Sequence, residues 1–151
     1  MAILKINICA IHKVAESSPE GQIIANYLKR VPWKVSTQQL EIKDKFPSDK
    51  QKIYEGELLL KAVPAGNFII ALDERGLQLS SHEFAKQIDK ISQPITFIIG
   101  GAYGLSDELR SKANLLLSLS AMTMPHVLAR VVLIEQLYRA YTINQNHPYH
   151  K

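Results

Sequence analysis

Three of the chain's seven glycines fall within five residues, at Gly100, Gly101 and Gly104. Glycine permits positive φ and lets another group come close to the main chain. Such a run can cradle a nucleotide-like ligand with backbone groups; a tight turn ahead of the next helix is the alternative. It is not a dinucleotide fingerprint, because G-x-G-x-x-G would need glycine where Ile99 stands, and no Gly-Lys-Ser/Thr follows it as in a phosphate loop. A second segment, Ser118-Leu119-Ser120-Ala121-Met122-Thr123-Met124-Pro125, is small, hydroxylic, thioether-rich and uncharged. That lining suits an adenine or a thioether held by backbone hydrogen bonds and apolar contact; a packed connection is the alternative. A third, Leu72-Asp73-Glu74-Arg75-Gly76, sets charged groups directly after an apolar run.

The histidines are a separate resource. His126 follows Pro125, where a long helical pattern begins. His147 and His150 have H-x-x-H spacing, but two histidines without further ligands do not make a metal site, and no metal is expected. The tail Asn-His-Pro-Tyr-His-Lys, ending at Lys151, suits a nucleic acid: Tyr149 can stack on a base, and Lys151 and the histidines can face phosphate.

The elements that hold these segments alternate regularly. Strands are expected at Ile3–Ile11, Trp33–Ile42, Asn67–Asp73, Pro94–Ile99 and Leu115–Leu119. Between them lie helical patterns. Ser17-Ser18-Pro19-Glu20 reads as a capping box, followed by Ile23, Ile24, Tyr27, Leu28 and Val31 on one face, and Pro32 ends that helix. Pro47-Ser48-Asp49 opens the second helix. Ser80 and Glu83 form another capping box, and Ser106-Asp107-Glu108 starts a short helix with two acids at its positive end. A final helix is expected from about Pro125 to Thr142. Five strand–helix alternations predict an α/β fold with a mostly parallel sheet and helices on both faces. In such sheets ligands bind beyond the carboxyl ends of the strands, which is where all three chemical segments fall.

In the last helix, Val127, Val131, Ile134, Tyr138 and Tyr141 form an a/d stripe, and Leu128, Val132, Leu133 and Leu137 a second apolar face. One face can pack on the sheet. The other points to a second subunit, so a homodimer is expected; burial within one chain is the alternative. Glu135 and Arg139 are an i,i+4 pair.

Composition bounds the rest. The chain has 151 residues, 46% hydrophobic and 21% charged, with 18 Lys+Arg against 14 Asp+Glu and a net charge of +4. That is an average globule, not a disordered or supercharged arm. One domain, 1–151, is expected. The charge is spread evenly, with 11 basic and 9 acidic side chains up to Arg75 and 7 and 5 after it. Such a balance permits an anionic partner without demanding one. The single cysteine, Cys9, cannot form an internal disulfide and reads as a buried thiol. The apolar Met1–Ile11 run is too short for a membrane span and no later window reaches the length of one. A cytoplasmic protein without membrane association is expected.

Together, IGGAYGLS (Ile99 to Ser106), SLSAMTMPHVLARVVLIEQLYRAYTI (Ser118 to Ile143) and the terminal HPYHK closely resemble the large-subunit ribosomal RNA pseudouridine N3-methyltransferases of the SPOUT class. The likeness spans the chain and is most specific from Phe68 to Lys151. It implies an S-adenosyl-L-methionine-dependent enzyme acting on N3 of a pseudouridine in 23S ribosomal RNA of the ribosome, a homodimer, and a C-terminal deep trefoil knot. By that likeness Leu72, with Asp73 beside it, Gly101, and the loop Ser120, Ala121, Met122, Thr123, Met124 and Pro125 hold the cofactor. Many relatives have proline and glutamate where this chain has Ala102 and Tyr103, but the glycines are intact. His126, Arg130, Glu135, Tyr138 and Arg139 match the family's final helix, and Tyr149 and His150 match a tail that closes over RNA and cofactor. Since N3 must lose a proton, His126, His150 and Tyr149 are the candidate bases. Arg130 and Arg139 are candidates for orienting phosphate or carbonyl oxygen. The competing readings are a non-catalytic nucleotide- or flavin-binding module and an RNA-binding factor without chemistry.

Overall fold

The computed structural model describes residues 3–151, so the first two positions of the Met1–Ile11 run lie outside it. Five strands, β1 (Lys5–Ile11), β2 (Lys34–Leu40), β3 (Phe68–Gln78), β4 (Ile95–Ile99) and β5 (Leu115–Ser118), alternate with five helices. These are α1 (Pro19–Arg30), α2 (Ser48–Ala62), α3 (Ser81–Lys90), α4 (Asp107–Lys112) and α5 (His126–Asn144). The strands form one sheet in the order β2-β1-β4-β3-β5, and every pairing is parallel.

Parallel strands covered on both faces are apolar on both, and β4 (ITFII) is buried throughout. Alternate residues of β1 feed two cores. Ile6, Ile8 and Ala10 meet Phe84 and Ile88 of α3 and Leu133, Ile134 and Leu137 of α5, with Ile24, Tyr27 and Leu28 of α1 packed around them. Cys9 and Ile11 join Leu59 of α2 and Leu109 of α4 on the other face. Helices therefore cover both faces, as the alternation predicts. Burial pushes the Cys9 thiol up to about 11, so it is protonated and inert at neutral pH. β2 is an edge strand, polar and largely exposed.

Two local readings need correction. The first helix is capped by Ser18, whose side chain accepts from the Gly21 N–H. That moves the cap one residue on from Ser17 and leaves glycine, not Glu20, in the reciprocating position, so the capping box is only half made. The Ser80–Glu83 box is complete, and Ser106 caps α4 as expected. The third strand does not stop at Asp73. It runs to Gln78, but its register against β5 jumps from Leu72 to Leu77, so residues 73–76 bulge out of the ladder. The charges of Asp73, Glu74 and Arg75 hide that continuation, because a bulge frees side chains from the two-residue alternation that marks a strand.

Of the a/d stripe on α5, Ile134 and Tyr138 are buried by the chain's own core, while Val127, Val131 and Tyr141 are half-buried. The helix lies between α1 and α3. The largest apolar exposure on it is Leu128, 48% accessible.

Candidate active site

The strand order places β4, β3 and β5 side by side, so the three chemical segments meet at one end of the sheet. They enclose a cavity of about 670 Å³. That is the size expected for a cofactor-sized ligand. Leu72, Asp73, Gly101, Ser120, Met122, Thr123, Met124, Pro125 and His126 all lie on its wall. Ala121 is exposed and outside the wall.

The glycine segment makes the tight turn of its alternative reading, and the same loop lines the cavity. Gly104 has φ of +83° and its N–H donates to the Gly101 carbonyl at 3.1 Å, closing a tight turn. Gly101 is needed for a different reason. A Cβ there would stand 2.6 Å and 2.8 Å from the two carboxylate oxygens of Glu55. Glu55, on α2, is 5% exposed and its Oε1 has no hydrogen-bond partner; Oε2 accepts from Gln51. A buried carboxylate thus backs the glycine loop from behind.

The β3 bulge carries Asp73 into the wall. Its side chain accepts from the Arg75 N–H at 3.0 Å and from Nε of Arg110, which α4 supplies. Burial works to raise the carboxyl, but these hydrogen bonds and the two guanidinium charges outweigh it and hold the group below its ordinary value of 3.8. Stability drawn from a depressed carboxyl is present above the unfolded value and drains as pH falls through the folded one. Asp73→Asn should therefore cost about 1–3 kcal/mol at pH 7 and progressively less below pH 3.8, read by thermal melts across pH.

On the helix side, His126 joins the wall and Arg130 sits one turn on. Burial, then the neighbouring charges of His12 and Arg130, hold His126 below 6.5, so its imidazole is neutral at physiological pH. Arg130 is 4% exposed and not on the wall. It donates to Gln39 Oε1 at 2.7 Å and to the His12 carbonyl at 2.8 Å, tying α5 to the carboxyl ends of β1 and β2.

The tail lies elsewhere. Tyr149 is seated on α5: its hydroxyl donates to Glu135 at 2.9 Å and meets Tyr27 at 3.2 Å, its ring packs edge-on to Tyr138, and Arg139 stacks over it. Burial, with those hydrogen bonds behind it, holds the phenol well above its ordinary value, in keeping with its hydroxyl donating to Glu135. His150 pairs Nδ1 with Arg139 at 3.0 Å, and Arg139 is engaged by Glu135. Neither Tyr149 nor His150 touches the cavity wall of its own chain. His147 Nδ1 accepts from the Tyr149 N–H. Among the described residues no group of three or more His, Cys, Asp or Glu could hold a metal ion, and no helix is long and apolar enough to cross a membrane.

The model of the family described as "Predicted SPOUT methyltransferase" matches residues 4–150. The chain belongs to the SPOUT methyltransferase family. Among curated relatives it is similar to the ribosomal RNA large subunit methyltransferase H of Rhodospirillum centenum, 41% identical over 91% of this chain and 93% of that one. It is also similar to the protein of the same name from Streptococcus pneumoniae, 38% identical over 98% of this chain and all of that one. Among solved structures, a probable methylase family protein from Haemophilus influenzae Rd KW20 superposes with a TM-score of 0.55 at 18% identity, covering 97% of this chain and 69% of that one. That likeness shows the fold. The SPOUT assignment makes the chain an enzyme of the methyltransferase type.

Three groups at this site escape sequence reading: Glu55, Arg110 and His12. Glu55 and Arg110 sit on helices rich in charged residues, where acids and bases are expected on the solvent side. His12 alone leaves a trace, as a polar ring directly after the apolar stretch from Ile8 to Ile11.

Proposed function

We propose that this SPOUT enzyme uses S-adenosyl-L-methionine to methylate N3 of a pseudouridine in 23S ribosomal RNA. The observation that carries the reading is the cavity itself, walled by the glycine loop and by the neutral segment from Ser118 to Pro125. Its donor set fits the cofactor. The hydroxyls of Ser120 and Thr123 and the Met124 thioether suit an adenosyl and thioether body. The curated relatives named above supply the ribosomal RNA substrate class. They do not favour a non-catalytic nucleotide- or RNA-binding module.

When bound, S-adenosylmethionine supplies an electrophilic methyl group. The chain's own part is placement and proton handling. Leu72, Gly101, Ser120 and the residues from Met122 to Pro125 would hold the cofactor body, Ala121 being outside the wall. His126, neutral on the cavity wall, takes the proton that leaves N3. Arg130 fixes the first turn of α5 and so the position of His126. Tyr149 and His150 stand outside their own chain's cavity wall, so a catalytic role for the tail requires a second copy or a moved tail. The exposed apolar side chains of Tyr103, Met122 and Leu128 support a homodimer. The C-terminal knot of the class and a cytoplasmic setting belong to the same reading.

Mass spectrometry of ribosomal RNA from cells lacking the gene tests the proposal. Methylpseudouridine should disappear and return on complementation; an unchanged level contradicts the reading.

A further inference from the structure

One cluster beside the cavity belongs to no expected role. His12 follows β1 directly, with φ of 93°, a region that side-chain-bearing residues rarely adopt. Its ring lies face-on to that of His126, with centroids 4.3 Å apart and planes 24° from parallel. Its carbonyl accepts from Arg130 at 2.8 Å, and its N–H donates to the Leu40 carbonyl at 3.1 Å. Its Nε2 is buried without a hydrogen-bond partner. One residue is thus held at both backbone groups in a strained conformation while its ring rests on the one histidine of the cavity wall. Strain of this kind persists where surrounding contacts over-determine it, and it clusters at functional sites.

We propose that His12 is a positioning residue for His126, its ring forming a fixed platform that orients the His126 imidazole at the cavity wall. The proposal rests on the reading of His126 as the proton acceptor. Two stacked imidazoles cannot both carry a proton without facing like charges at close range. The charged and titratable groups facing His126 are His12, from the end of β1, and Arg130, one turn along α5. Both oppose a positive charge on His126, and burial acts in the same direction. His126 is thereby kept in the form that accepts a proton.

The discriminating variant is His12→Gly, because glycine adopts the positive φ without strain and removes the side chain while keeping both backbone hydrogen-bonding groups. Folding should survive, with an unchanged or raised Tm. Binding of S-adenosylhomocysteine should stay within about twofold, since His12 is not on the cavity wall. The His126 ring, followed by NMR through a pH titration of the full chain, should titrate at a higher pH than in the wild type, moving toward 6.5. On ribosomes lacking the modification, kcat should fall about tenfold with KM unchanged, and the acid limb of the rate profile should move to higher pH. His12→Asn, which tolerates the backbone but lacks the ring, should behave like His12→Gly. An unmoved His126 titration together with an unchanged kcat overturns the proposal. If the wild type fails to methylate ribosomes while the His126 titration still moves in His12→Gly, the coupling stands and the methylation reading falls.

Discussion

Gly101→Leu should give a folded protein that no longer binds S-adenosylhomocysteine. At this position even one added carbon would meet both carboxylate oxygens of Glu55 within 3 Å. Glu55 is buried on α2 with its Oε2 held by Gln51, so part of the overlap passes to the glycine loop. The loop has little room to yield, because its turn is closed by the Gly104 N–H on the Gly101 carbonyl. Overpacking of this kind costs about 1–3 kcal/mol of stability, which a chain of this size tolerates. The ligand is affected more, because the displaced loop is itself cavity wall. Affinity measured by calorimetry should fall at least about 100-fold, and methyl transfer with it. The smaller Gly101→Ala isolates the cause. It should lose about tenfold, and combining it with Glu55→Ala should restore much of the binding, because the contact that forces the loop is gone.

Arg130→Met should be the most destabilising single change near the site. The guanidinium is buried and bonded to Gln39 and to the His12 carbonyl. Methionine keeps much of the stem volume but leaves that carbonyl without its donor in a closed environment. A buried polar group stripped of its partner costs about 1–3 kcal/mol, and the tie between α5 and the ends of β1 and β2 is lost as well. A Tm fall of about 5–10 °C is expected, from roughly 2–4 °C per kcal/mol at this chain length. Arg130→Lys should recover only part of it, since one ammonium cannot reach two acceptors in the fixed geometry of a guanidinium. A Tm within 1 °C or so of the wild type would mean the tie carries no stability.

The parts of this structure legible in the sequence are those governed by short-range pattern. The apolar runs of β1 and β4 announce buried parallel strands. Ser80 and Ser106 announce helix starts because a hydroxyl cap is a local device. Gly101, Thr123 and His126 could be grouped because strand ends in this fold class collect on one side of the sheet. What stayed hidden is what depends on partners distant in sequence. Nothing around Asp73 reveals that β3 resumes after a bulge, or that Arg110 will reach it from another helix. Arg130 reads as a charge able to face RNA, yet its donors go to β1 and β2, and the residue that ties them to the site, His12, lies 118 positions away in sequence. The tail offers the same lesson: Tyr149 is a natural base-stacking group, yet within this chain its surfaces are taken by Tyr27, Glu135, Tyr138 and Arg139.

On the proposed reading, the cavity at the ends of β3, β4 and β5 directs a methyl group to ribosomal RNA. The most direct test of that reading incubates the purified protein with methyl-labelled S-adenosylmethionine and ribosomes from cells lacking the gene, with Gly101→Leu in parallel. Label should appear at N3 of one pseudouridine of the large-subunit RNA with the wild type, and none should appear with Gly101→Leu. Absence of label with the wild type, or equal labelling by both proteins, would contradict that reading.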